Sequence, residues 1–320
     1  MSEPEVISLK ERLGKKAGSA LQLEDQLRWA ASNQHFEPRS PWRLRVYNLM
    51  ADHDIQMDWL GMPFSMLHRV LDDLDQSRLR EQLSVGHLRE QLLDLGSHEE
   101  GRRSINYWLH KEEILDRLVG TGSRNPFHQP AITSAECQMA FEKGMHQADE
   151  EIIRGAHWVG LRMLNPAVRV FAAMQLFLHA GVPFSVTLQA LLKADRLESV
   201  AYVAEKAVRR HPMSRNPMMG LTFFGGYEMA FACGFVIRMA QEGRFTLLSG
   251  LEGYATAYVA ELIQTGSSEY VTFTQRAIQQ WREASADAFE GPAVFQAAAA
   301  DPADVQLRLA LFHLHSCLNA

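Results

Sequence analysis

Asp52, His53 and Asp54 stand together after an apolar run. Two carboxylates and an imidazole so close could pass a proton or share a cation. The plainer reading of Asp-x-Asp on a loop is turn capping, with its oxygens taken up by backbone N–H groups. Glu228 opens an apolar stretch. It could act as a general base, or as a helix-start carboxylate paired with a backbone N–H or an arginine. His313, His315 and Cys317 alternate as on one strand face and could hold zinc. No fourth ligand is evident there. The leucines at 309, 311, 314 and 318 suggest a buried terminal helix, on which only His313 and Cys317 share a face. No metal site and no cofactor are therefore expected. Neither a Ser-His-Asp set nor a dinucleotide fingerprint can be assembled, and Gly220 with Gly225 and Gly226 lacks the Lys-Ser/Thr that a phosphate loop requires.

These groups need elements to hold them. Arg43–Met50 alternates and then turns apolar, as a strand entering a core does, and ends at the polar turn 51–54. Residues 63–92 carry apolar positions at helical spacing, followed by a short strand ending at Asp94-Leu95-Gly96. A helix and then a turn-rich loop, 120–130, occupy 97–132. Thr133 with Glu136 forms a capping box for a helix over 135–153. Ala156–Leu161 reads as a buried strand. Helices are expected at 167–180, 194–211 and 226–241, a poor strand or loop at 181–188, a strand at 244–249, and helices from there to the end. Strands alternating with helices predict a doubly wound, mainly parallel α/β sheet with flanking helices. A smaller helical lobe is expected from segments 1–34 and 271–320, around a core domain of 35–270.

The chain has 320 residues, 47% of them hydrophobic and 22% charged, with a net charge of −6. That balance argues against a nucleic-acid partner, because counterion release needs clustered cations facing phosphates. Lys206, Arg209, Arg210 and His211 beside Glu205 read as a solvated helix face. Three widely spaced cysteines suggest a reducing compartment. No apolar leader opens the chain, and the stretch Phe223–Met239 is broken by Glu228 and Arg238. A cytoplasmic protein without membrane association is the expectation.

In a parallel sheet, ligands bind beyond the carboxyl ends of the strands. The loops there carry a resemblance. Phe224-Gly225-Gly226-Tyr227-Glu228-Met229-Ala230, followed by Leu247-Leu248-Ser249-Gly250, resembles the G-G-[FY]-[DE]-[IM]-A helix and L-L-D-G-F strand end of the nicotinate-nucleotide:dimethylbenzimidazole phosphoribosyltransferases, the CobT family. Lys16–Ser19 with Leu23-Glu24, Met50-Ala51-Asp52-His53, and Gly122–Asn125 before Pro130–Thr133 resemble further family motifs in the same order. The resemblance covers nearly the whole chain. It implies a dimer whose ligand pocket involves Asp52, His53, Asn125, Arg162, Met163, Asn165, Gly225, Gly226, Ser249 and Gly250.

The departures matter equally. Where the family has E-M-G-I-G-N-T-T, Gly160 is followed by Leu161–Ala167 with no acid and no small glycines. Backbone N–H groups need such glycines to approach a phosphate closely. Arg162 there could bind an anion or pair with an internal carboxylate. The family's G-R-G-T-G aligns with Thr187–Leu191, and its general-base glutamate position is Leu311. A leucine cannot accept the proton that base attack on the ribose releases. No catalytic residue is therefore expected, with Glu228 and Asp52 as fallback bases. The leading expectation is an inactive, CobT-like protein linked to cobalamin lower-ligand metabolism. It would act as a homodimer, a heterodimer with a family paralogue, or a holder of a small aromatic base or nucleotide. The alternatives are an active phosphoribosyltransferase with altered substrates and a scaffold with its old pocket filled.

Overall fold

A computed structural model describes residues 23–32, 44–55, 60, 65, 67, 88–103, 114–188, 194–275 and 293–295. Helix α1 (Leu23–Ser32) is followed by β1 (Leu44–Ala51), β2 (Leu88–Gly96), the single turn α2 (Glu99–Arg102) and β3 (Ile114–Asp116). Then come α3 (Ser134–Ile153), β4 (Trp158–Met163), α4 (Val168–Ala180), the short α5 (Phe184–Thr187) and α6 (Ala194–Arg210). Helices α7 (Pro217–Phe224) and α8 (Gly226–Gln241) precede β5 (Phe245–Leu248), α9 (Gly250–Ile263), β6 (Val271–Gln275) and β7 (Ala293–Phe295).

The seven strands among the described residues all run parallel, in the order β3-β2-β1-β4-β5-β6-β7. The chain winds outward from β1 to β3, then returns across the sheet to β4. This is the doubly wound α/β fold, with its switch point between β1 and β4. A parallel sheet is covered on both faces, which is why β1 and β4 are buried along both. The polar members of β1 are satisfied inside: the Tyr47 hydroxyl donates to Glu151 Oε1 at 2.6 Å, and Arg45 Nη1 donates to Gln91 Oε1 at 3.1 Å. Burial and the Glu151 charge push the Tyr47 phenol well above its ordinary pKa.

The helices follow local signals. Thr133 Oγ1 accepts from the Glu136 N–H, and the Glu136 carboxylate accepts from the Thr133 N–H, the capping box that starts α3. Helix α4 (VRVFAAMQLFLHA) is apolar nearly all round and lies in the core. It stops at Gly181, whose φ of +70° suits a residue without a Cβ. In α8 every residue but Arg238 is buried. Helices α3 and α8 cross at glycines: a Cβ on Gly144 would lie 1.9 Å from the Phe231 carbonyl oxygen, and one on Gly234 would lie 2.1 Å from that of Phe141.

Several expectations are corrected. Asn216 Oδ1 caps the N–H groups of Met218 and Met219, and with Pro217 at the first helical position starts α7, which was not expected. Residues 184–187 form a helical turn rather than a strand or loop. Within the stretch 271–320, where helices were expected, residues 271–275 and 293–295 are strands β6 and β7, which take their hydrogen bonds from β5 and from each other, and the rest of the stretch lies outside the described residues. Short β3, within the segment read as helix and loop, is likewise held by its neighbour β2. The polar turn at 51–54 lies inside the molecule, with Asp52 and His53 fully buried. Among the described residues, no helix is long and apolar enough to cross a membrane. The stretch Phe223–Met239 instead breaks at Gly225 into two helices.

Candidate functional site

The carboxyl ends of β1, β2, β4 and β5 share one edge of the sheet. Residues 51–53, 96–98, 163–165 and 249–250 meet there at and beside the switch point, where open α/β sheets take their ligands.

At the end of β1, Asp52 Oδ2 accepts from the His98 N–H at 2.8 Å, tying the β1 and β2 loops together. Its backbone exchanges hydrogen bonds with Gly96 and Ser123. Asp52 therefore performs the capping role at full burial. His53 sits at the centre of a chain of three side chains. Its Nδ1 lies 2.6 Å from Ser123 Oγ and its Nε2 lies 3.1 Å from Glu228 Oε1. That same Glu228 oxygen accepts from the Ala51 N–H at 2.9 Å, and towards a carboxylate oxygen His53 Nε2 is the donor of the pair. A serine, a histidine and a glutamate are thus assembled, although the sequence offers no such set. Ser123 is 70 residues from its partner, and only the short parallel bridge between His53 and Ser123 joins them. All three are buried, which makes the set a brace between β1, the 120–130 loop and α8.

Glu228 reaches this position because Gly225 and Gly226 break α7 from α8. Gly226 takes φ +66°, and a Cβ there would press on the Phe171 ring at 3.2 Å and on His53 Cε1 at 3.3 Å. His53 packs edge-on against Phe171, with ring centroids 4.9 Å apart. Asn125 Oδ1 accepts from the Phe127 N–H and shapes the 120–130 loop. The loop is fastened further by Arg124, which donates to Glu136, and by the Tyr227 hydroxyl, 3.1 Å from both Gly122 O and Glu136 Oε1.

Across the switch point, Asn165 Nδ2 donates to Ala51 O at 2.8 Å while its Oδ1 accepts from the Ala167 N–H at 3.0 Å. The segment after β4 is therefore drawn onto β1 by its own side chain. Met163 is core, paired in register with Leu49. Arg162, half-buried at the end of β4, acts on Glu252, a residue that the sequence reading passed over. Its only signal was an acid in the first turn after Ser249 and Gly250. Burial raises the Glu252 carboxyl above the usual range, and Arg169 and Arg162 oppose that rise. Ser249 Oγ, at the end of β5, is buried with no hydrogen-bond partner among the described residues.

The site thus brings together Asp52, His53, Glu228, Gly226 and Asn165 at the switch point, with Arg162, Ser249 and Gly250 beside β4 and β5, and holds Asn125 in the neighbouring loop. Leu311 and the His313, His315 and Cys317 group lie outside the described residues. Among the described residues no group of three potential metal ligands is found.

A family model described as phosphoribosyltransferase matches residues 82–297. The nicotinate-nucleotide–dimethylbenzimidazole phosphoribosyltransferase of Ralstonia nicotianae is 26% identical over 162 residues, 50% of this chain and 46% of that protein. The enzyme of the same name from Pseudomonas putida is 24% identical over 273 residues, 83% of this chain and 76% of the relative. The matches to the first few such relatives span about half of their length. The crystal structure of CobT from Thermus thermophilus superposes with a TM-score of 0.75 at 18% identity, covering 92% of this chain and 88% of that one. A family match over two thirds of the chain makes this protein a member of the phosphoribosyltransferase family that the model describes, built on the fold seen in CobT.

Proposed function

We propose that this chain is a member of its family that does not run phosphoribosyl transfer. It holds a small aromatic base or nucleotide, or serves as one subunit of a homodimer or of a pair with a family paralogue, in the metabolism of the cobalamin lower ligand. The observation that carries this reading is the state of Glu228. It is the fallback base that stands at the switch point, and it is buried and engaged by the Ala51 N–H and His53. A general base must reach the proton that it takes. Asp52, the other fallback, is likewise enclosed and accepts from the His98 N–H. The segment after β4, which lacks the family's glycines, is closed by Asn165. The family position of the base is Leu311, which cannot take up a proton.

The test is incubation of the purified chain with nicotinate mononucleotide and dimethylbenzimidazole, with chromatographic detection of nicotinate, alongside calorimetric titration of each ligand. The expected result is no nicotinate release. Heat from the base alone would mark a carrier, and heat from neither would mark a partner subunit. Sustained nicotinate release overturns the proposal and restores an active transferase.

A further inference from the structure

At the amino edge of the sheet, opposite the switch-point loops, β4 and β5 begin side by side, with Trp158 in register with Phe245. One residue before each stand His157 and Arg244, both 7% exposed. The Phe245 N–H donates to His157 O at 2.8 Å, and the Trp158 and Phe245 rings stack with centroids 4.7 Å apart. Helix α1 adds a wall beside them, with Trp29 Nε1 donating to Gly243 O at 3.3 Å. The backbone thus brings both side chains to one place. Arg244 Nη1 lies 2.8 Å from His157 Nδ1 and 3.3 Å from its Nε2. A guanidinium only donates, so the imidazole accepts from it and brings no negative charge.

The result is a buried cation without an anion. A guanidinium keeps its charge, and buried charges are ordinarily paired. Arg244 makes no ion pair among the described residues, and its Nε is buried there with no hydrogen-bond partner. Burial holds the Arg244 pKa below the usual arginine range, against the opposing charge of Glu242. The Glu242 carboxylate, however, accepts from Arg238 Nη1 at 2.8 Å. The carboxyl end of α8 offers about half a charge at most. Its Met239 and Ala240 carbonyls already accept from the Arg244 and Gly243 N–H groups. With Nη1 turned to His157, the edge formed by Nε and Nη2 remains. Such an edge takes both oxygens of a planar carboxylate through two parallel, charge-assisted hydrogen bonds.

We propose that Arg244 binds a small monocarboxylate at this amino edge, held side-on by Nε and Nη2 and backed by His157. One guanidinium neutralises one negative charge, which a carboxylate carries and a phosphate monoester exceeds at neutral pH. With Arg244 so little exposed, an anion the size of formate or acetate suits the place better than a larger one. Occupancy removes the cost of an unpaired buried charge, so the ligand stabilises the folded chain. The site stands apart from the proposed loss of phosphoribosyl transfer, because it lies at the opposite edge of the sheet from the switch-point loops.

The experiment follows the thermal midpoint of the full chain as sodium formate replaces sodium chloride at constant pH and ionic strength, with sodium sulfate as a second series. A bound anion raises Tm along a saturating curve, whereas a general salt effect does not saturate. The parent is expected to give a saturating rise with formate that sulfate does not match. Arg244→Gln and Arg244→Lys should each lose it, with formate affinity falling by about tenfold or more, because neither keeps the guanidinium fork. Absence of a saturating formate response in the parent overturns the proposal, whether or not the variants fold. So does a response that Arg244→Lys keeps in full, since a point charge would then suffice. A sulfate response equal to that of formate overturns the assignment to a carboxylate.

Discussion

Replacing Glu228 by alanine removes the acceptor for two buried donors, the Ala51 N–H at 2.9 Å and His53 Nε2 at 3.1 Å. Both lie where water does not reach, since residues 51, 53 and 228 are each 0% exposed. A buried donor left unpaired costs about 1–3 kcal/mol, so the pair should cost about 2–6 kcal/mol, before any contribution from the cavity. In a chain of 320 residues that corresponds to a fall in Tm of at least about 3 °C. Glu228→Gln keeps the oxygen that accepts from both the Ala51 N–H and His53 Nε2 and should cost only about 1 kcal/mol, because a neutral amide oxygen accepts more weakly than a carboxylate. Urea denaturation of the parent and both variants measures the two values directly. If Glu228→Ala unfolds within about 0.5 kcal/mol of the parent, the brace is not a brace. Unaltered stability together with lost turnover of any substrate would make Glu228 a catalytic residue instead.

Gly144→Ala and Gly234→Ala each place a methyl group within 2.2 Å of a carbonyl oxygen across the α3–α8 crossing. Each should destabilise by more than about 2 kcal/mol in the same assay, while alanine at Gly155, where a Cβ meets nothing within 4 Å but φ is +80°, should cost about 1 kcal/mol. Thr133→Ala breaks the capping box of α3 and should cost about 1 kcal/mol, with Glu136→Ala adding less than its separate effect because the two act as one unit. Burial holds the His179 pKa down at about 4, from an ordinary 6.5. The unfolded chain takes up that proton first on acidification, so the contribution is complete above pH 6.5 and is lost as the pH falls towards 4, by an amount on the order of 3 kcal/mol. The difference in unfolding free energy between the parent and His179→Gln should follow that window; a difference independent of pH would refute the assignment.

The long elements were legible because their signals are local. The capping box at Thr133 and Glu136, the apolar face of α4 and the run entering β1 each state their structure within a few residues. The three-residue strands β3 and β7 carry no such signal, since they exist only through hydrogen bonds to a neighbouring strand. Helix α7 was missed although Asn216-Pro217 is an ordinary helix start, because the glycines at 220, 225 and 226 read as loop. At the site, the sequence marked Asp52, His53 and Glu228 but gave no reason to join them to Ser123. That link depends on a parallel bridge between segments far apart in the chain. Glu252 was hidden for a different reason. An acid in the first turn of a helix is ordinary, and only the fold shows that it lies over Gly250 beside Arg169.

The central claim is that the family frame persists here without phosphoribosyl transfer. The most direct measurement is nicotinate release from nicotinate mononucleotide in the presence of dimethylbenzimidazole, at enzyme concentrations high enough to see a single turnover. The account predicts no nicotinate above the background of the protein-free mixture. Release of nicotinate with formation of the nucleotide of the base, at even one equivalent per chain, would contradict it.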